Sequence, residues 1–205
     1  MKRIILVLIL IALAGSFILL YPHPQPQIIK PEIQPDFSAE QIVIPVRAHI
    51  IKDPSGLYSS SRDKDNILVL FGKANNIWSQ ADVYFRVEEI VITEVSFDAI
   101  PDAINGNYRE LYEHNNFNRG KVNAFFIQSL NGLNGLALPR INSILVADYT
   151  SVHDYRATAH EFGHLLGLNH IEPEDRLLAR GHNGELLIPS EILLARENAL
   201  KLLQV

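Results

Sequence analysis

The stretch "HEFGHLLGLNH", residues 160–170, decides how the rest of the chain is read. His160 and His164 are four residues apart, so on a helix they share one face, a turn apart. Two imidazoles so placed reach a single metal ion. Glu161 projects beside them without having to be a ligand, the arrangement in which a glutamate serves a zinc site as general base. Gly167 stands where glycine takes the left-handed conformation that ends a helix. A chain turning back there brings His170 to the same metal. Three neutral imidazoles leave the fourth zinc position open, which marks a catalytic site rather than a closed structural one.

A competing reading is an ordinary buried helix whose histidines are core or cap residues. With this composition, the two histidines and the glutamate arise in roughly 2 of 100 shuffled sequences, and adding Gly167 and His170 lowers that to roughly 4 in 100,000. The long form therefore argues for a metal. In the predicted helix "DYRATAHEFGHLLG", Ala159, Phe162, Leu165 and Leu166 are available for packing, and Ser151 or Asp154 is the expected N-cap.

The chain of 205 residues is 47% hydrophobic with a net charge of −5, which suits one globular domain plus a short appendage. No long basic run appears, so a nucleic-acid partner is not expected. The absence of cysteine excludes disulfides, thiolate zinc sites and cysteine-based latency.

Residues 1–21 open with Lys2 and Arg3 and continue from Ile4 to Leu20 without a charge. The segment reads as a membrane anchor, with a signal peptide cleaved after "ALA" (residues 12–14) as the alternative. In either case the positive charges stay inside and the remainder lies outside the cytoplasm. Residues 22–40 are proline-rich and read as an extended linker. The domain is expected over 41–205.

Within it, "QIVIPVRAHII" (41–51) alternates apolar residues and predicts a strand. A helix follows over 61–81, with "DKDN" as its solvated first turn; this tetrapeptide lacks the following glycine and distant glutamate of a calcium loop. Further strands are expected at 83–95, 121–130 and 143–148, and an edge segment at 135–140. A helix is predicted over 102–115, weakened by Gly106, and a last one over 189–204, where Pro189 and Ser190 signal its start. This order makes an α/β domain with one mixed sheet. The edge segment, with Leu136, Ala137 and Leu138, is placed to bind an extended peptide by main-chain pairing. His23, His49, His114, His153 and, in the simpler reading, His182 are linker, structural or surface residues.

On these motifs, with "NGLALP" and "SILVAD" before the helix and "GELLIPSEILLAR" after it, the chain resembles a metzincin metallopeptidase domain of the matrixin-like group over residues 41–205. The resemblance implies a zincin-type α/β fold: a twisted mixed sheet with helices, the zinc helix, and a small lower subdomain entered after Gly167. It also implies one catalytic zinc on His160, His164 and His170, with Glu161 as base and a protein or peptide as substrate. Nothing in the sequence decides for or against bound calcium. Such domains carry a methionine in a tight turn beneath the zinc. Here the only methionine is Met1, and Leu178 takes that place, a nearly volume-conserving exchange. Arg180 is a candidate for stabilising a developing oxyanion and His182 for lining the adjoining pocket. Two alternatives stay open. One is a zinc-bearing but inactive peptide-binding module at the membrane. The other is an enzyme whose third ligand is Glu185 or Glu191 in place of His170.

Overall fold

The computed structural model of the chain describes residues 28–30 and 41–204. The expected anchor or signal at 1–21 lies outside the described residues, as does most of the proline-rich segment. No helix among the described residues is long and apolar enough to cross a membrane.

The alternating run after Gln41 forms β2 (Ile42–Lys52), following a two-residue strand β1 (Ile28–Ile29). Ile42, Ile44, Val46, Ala48 and Ile50 all point into one core. Helix α1 (Lys64–Trp78) comes next, and then β3 (Val83–Glu94). Two short helices, α2 (Ala99–Ile104) and α3 (Arg109–Glu113), lead to β4 (Val122–Ile127), β5 (Gly135–Leu138) and β6 (Ser143–Ala147). The long helix α4 (Asp154–Leu165) carries the histidine motif, and α5 (Pro189–Leu202) closes the fold.

The six strands form one sheet in the order β1-β3-β2-β4-β6-β5. The four inner strands are parallel, whereas β1 and β5 run antiparallel at the two edges. Helices cover both faces, so β4 and β6 are buried along their whole length, as parallel strands require. Pro45 is tolerated because the pairing of β2 with β4 begins only at Val46, which leaves the strand open on that side. This is the mixed α/β architecture expected from the sequence. Part of the predicted linker also docks: Ile28 and Ile29 pair with Val91 and Ile90 and cover the edge of β3.

Two local expectations are corrected. The helix predicted over 102–115 is two helices, because Gly106 takes φ +88° and the chain turns there. The N-cap of α4 is neither Ser151 nor Asp154 but His153, whose side chain makes no capping bond; Asp154 is the first helical residue and accepts from the Tyr155 N–H at 2.8 Å. The "DKDN" stretch does start α1: Asp63 accepts from the Asn66 N–H at 2.8 Å and Asn66 accepts from the Asp63 N–H at 3.2 Å, a reciprocal cap.

One face of the sheet positions α4. Phe162 stacks on Phe85 with ring centroids 3.6 Å apart, and Trp78 of α1 donates its indole N–H to the Ala159 carbonyl at 3.2 Å. The entry of α4 is tied down by charge. Arg62 donates to Asp148 at the end of β6 (3.1 Å) and to Asp154 (2.8 Å).

Candidate metal centre

Helix α4 ends where the sequence predicts. Gly167 has φ +82°; its N–H donates to the His164 carbonyl at 3.0 Å and the Leu168 N–H to the Gly163 carbonyl at 2.9 Å. This 5→2 and 6→1 pair is a Schellman motif, which satisfies the last carbonyls and reverses the chain. A Cβ at residue 167 would also stand 2.6 Å from the Asn198 side-chain nitrogen, so that amide, which donates to the Leu166 carbonyl at 2.9 Å, would have to shift.

The reversal delivers His170 to the first two histidines. The three Nε2 atoms lie 3.1, 3.1 and 3.0 Å apart. A tetrahedral zinc with Zn–N distances of about 2.0–2.1 Å would set its ligand nitrogens about 3.3–3.4 Å apart, within a few tenths of this. The protonation pattern points the same way. His160 Nδ1 donates to the Leu177 carbonyl and His164 Nδ1 to the Leu168 carbonyl, each at 2.8 Å. A carbonyl oxygen only accepts, so both protons sit on Nδ1 and both Nε2 atoms present bare lone pairs to each other. Lone pairs so gathered fit a cation, and outer carbonyl partners of this kind are those of metal-bound imidazoles. Burial pushes His160 down to about 3 and also lowers His164 and His170, which keeps them neutral and ligand-competent.

These three are the group among the described residues able to hold a metal ion. Neither glutamate considered as an alternative third ligand belongs to it. Glu185 accepts from the Tyr155 hydroxyl at 2.9 Å. Glu191 is ion-paired with Arg176 and accepts from the Ile188 N–H at 2.9 Å at the start of α5.

Glu161 lies against the edge strand. A Cβ at Gly135 of β5 would fall 2.5 Å from its Cγ and 2.9 Å from its Oε1, so glycine there lets the carboxylate in. Burial pushes Glu161 up to about 8, opposed by a hydrogen bond with the Ala137 backbone and by the charge of Arg156. A dication at the histidines would draw it back down.

The histidines and Glu161 open onto a cleft of about 540 Å³, lined also by Leu136, Ala137, Arg156 and Arg180. Leu138 does not line it: with Leu136 it shares the β5 face that packs on the second core, whereas Ala137 between them packs on the first. Arg180 is exposed at the cleft wall without a hydrogen-bond or ion-pair partner among the described residues, and its charge acts on His164 and His170. His182 lies outside the cleft, in an adjoining depression with His170, Ile171, Glu172 and Arg180, its Nδ1 3.6 Å from Glu174.

Leu178 is fully buried in a tight turn closed by the Ala179 N–H on the Arg176 carbonyl at 3.1 Å. It packs on α4 at Gly163, where an added Cβ would meet its Cδ atoms at 3.1 and 3.2 Å. The sequence reading missed Arg156. Its signal was the four-residue step back from His160, which puts a cation on the ligand face of the helix.

No family model matches the chain, and no curated protein matches it in sequence. Among solved structures, metalloproteinase-II from Bacteroides fragilis is similar, with a TM-score of 0.51 and 16% identity over 86% of this chain. This chain covers 58% of that protein's length, and the likeness is one of fold. A zinc-dependent peptidase from Methanocorpusculum labreanum matches with a TM-score of 0.44 and 11% identity, over 73% of this chain and 99% of that one.

Proposed function

We propose that the chain is a zinc-dependent endopeptidase of metzincin type, most like the matrixin group. The observation that carries the reading is the convergence of three Nε2 atoms within 3.1 Å of one another beside a buried glutamate, at the floor of an open cleft. The fold, shared with a metalloproteinase, is in keeping with it.

His160, His164 and His170 would hold one zinc, which when bound lowers the pKa of a water in its open position and polarises a carbonyl. Glu161 accepts the proton of the attacking water on its carboxylate and passes it to the leaving amine. The free edge of β5 offers the backbone of Leu136 and Ala137 to an extended substrate. Arg180, at the cleft wall beside His164 and His170, is placed to meet negative charge developing on the substrate. The charge pattern of residues 1–21 supports a domain working outside the cytoplasm, anchored to the membrane; cleavage of the domain by protease added to intact cells tests that placement.

The experiment for the enzyme compares wild type with Glu161→Gln. Both should bind one zinc, and the variant should lose about 10²–10⁴-fold in hydrolysis of a generic peptide library. Zinc-loaded wild type and variant that both bind peptide, with neither cutting, would establish a binding module instead.

A further inference from the structure

Arg156 sits one helical turn before His160, on the same face of α4, and is 2% exposed. Among the described residues its guanidinium forms no salt bridge. Every hydrogen bond it makes goes to backbone carbonyls of the segment beneath the histidines. Nη2 donates to Leu177 at 2.6 Å and to Ala179, and Nε donates to Gly184 at 3.2 Å. The Leu177 carbonyl is the one that also accepts from His160 Nδ1, at 2.8 Å. One oxygen thus joins the arginine to the first histidine. Glu161 and Glu185 act on this cation only through space, and burying it with hydrogen bonds to carbonyls and no direct ion pair is costly unless the geometry it fixes is needed.

We propose that Arg156 is a positioning residue for His160: by clamping the Leu177 carbonyl, it holds the imidazole in its Nδ1–H form with Nε2 turned toward His164 and His170. The residue thereby does part of what a methionine turn does elsewhere. It fixes the floor segment 177–179, with Leu178 at its centre, to the ligand helix. The inference rests on the reading of the histidines as a metal site, though not on peptide hydrolysis.

Two effects of Arg156 on a bound dication have opposite signs, and this makes the role testable. Its charge repels the metal, so charge alone predicts tighter zinc binding when the arginine is neutralised. Its clamp orients a ligand, so positioning predicts weaker binding, by about 10–100-fold for the loss of an outer partner of a ligating histidine.

Zinc affinity is measured on the full purified chain by competition with a chromophoric chelator, for wild type, Arg156→Met and Arg156→Lys. Both variants should bind about 10–100-fold more weakly. Arg156→Lys keeps the charge and the aliphatic stem, and carries the comparison if Arg156→Met does not fold. Leu111→Ala, in the core on the far side of the sheet, provides a variant loosened away from the site. The second readout is the long-range ¹H–¹⁵N spectrum of the metal-free protein. His160 should show the Nδ1–H tautomer in wild type and a tautomer mixture in the arginine variants. Tighter binding in Arg156→Met, or equal weakening in Leu111→Ala, would overturn the proposal. Wild type that holds zinc but cuts nothing would sink the peptidase reading and leave this one standing. Wild type that holds no zinc would sink the metal reading, and the tautomer spectrum alone would then decide.

Discussion

Two histidine sites lie on opposite faces of the same sheet. His49 of β2 is wholly buried and stacked on Phe125. Burial pushes it down to about 3, the same value as His160. A lowered pKa therefore does not separate them. The count of donors and acceptors does. His49 Nε2 donates to the Asn123 side-chain oxygen at 3.0 Å and its Nδ1 accepts from the Thr93 hydroxyl at 2.9 Å, so both nitrogens are satisfied within the chain. His160 and His164 satisfy only Nδ1, and their Nε2 atoms face each other. The first site is complete; the second leaves its Nε2 atoms aimed at one point, an arrangement that fits a cation. A buried titratable group becomes a functional candidate when the fold leaves its bonding capacity aimed at a common point.

The largest expected effect tests that difference directly. With free zinc at about 1,000 times its Kd, the folded state gains about 4 kcal/mol by mass action. Wild type and His49→Gln should show the same zinc-dependent rise in melting temperature, each from its own baseline. His170→Ala should lose most of it. An unchanged zinc response in His170→Ala would remove that residue from the ligand set and erase the contrast between the two sites.

The next effect belongs to the complete site. His49 has an ordinary pKa of 6.5 when unfolded and about 3 when folded, so between these values the unfolded chain binds a proton that the folded chain refuses. Its contribution to stability is whole above pH 6.5 and falls as the pH drops toward 3. Burial is the main cause; Arg47 and His114 push the same way, while the Asn123 hydrogen bond and Glu89 oppose it. One such site gives a slope of at most about 1.4 kcal/mol per pH unit and half that at pH 6.5, or about 1.6 kcal/mol between pH 6.5 and pH 5. Denaturant unfolding of the metal-free protein should show wild type losing that much more than His49→Gln over this interval. Parallel curves would mean that His49 is not held neutral.

The two sites also differ in how far the sequence announces them. The converging histidines are legible because local rules place them. A four-residue step sets two of them on one helix face, and a glycine at the C′ position turns the chain to the third. The order of strands and helices was legible for the same reason, since apolar period follows secondary structure. What stayed hidden is held by partners distant in sequence. His49 meets Asn123 across 74 positions, and Arg156 reaches carbonyls 21 to 28 residues onward with no periodicity to link them. Ile28 and Ile29 sit in a proline-rich run whose local chemistry says linker, and only the open edge of β3 makes them a strand. Along β5 the period of two turns the side chains of Leu136 and Leu138 to one core and that of Ala137 to the other, so it is the backbone of this edge that the cleft shares.

The smallest effect concerns how closely each site is built. Strand register alone assembles the His49 site, whereas the metal-facing site needs a helix and a turn at a separation that glycine permits. Gly163 lies in α4 between the first two ligands, and a Cβ there would stand 3.1 and 3.2 Å from the two Cδ atoms of Leu178. In an open helix interior, alanine is better than glycine by roughly 0.5–1 kcal/mol. At residue 163 that gain must be set against moving a fully buried leucine by a few tenths of an ångström in a close-packed interior. Gly163→Ala should therefore be neutral or destabilising by up to about 1 kcal/mol, with weaker zinc binding, since the shift is passed to the Leu177 carbonyl and so to His160. The same substitution in a Leu178→Ala background should recover the ordinary helical gain, because the obstructing methyl groups are gone. Leu178→Met keeps the volume at a cost under ~1.5 kcal/mol, and its unbranched, flexible end should accommodate the alanine better than leucine does. The coupling is read from a double-mutant cycle of unfolding free energies, with a difference of about 1 kcal/mol expected between the two backgrounds. Equal stabilisation by Gly163→Ala in both would mean that Leu178 does not press on the ligand helix, and that the turn beneath the histidines is set by Arg156 and the carbonyls alone.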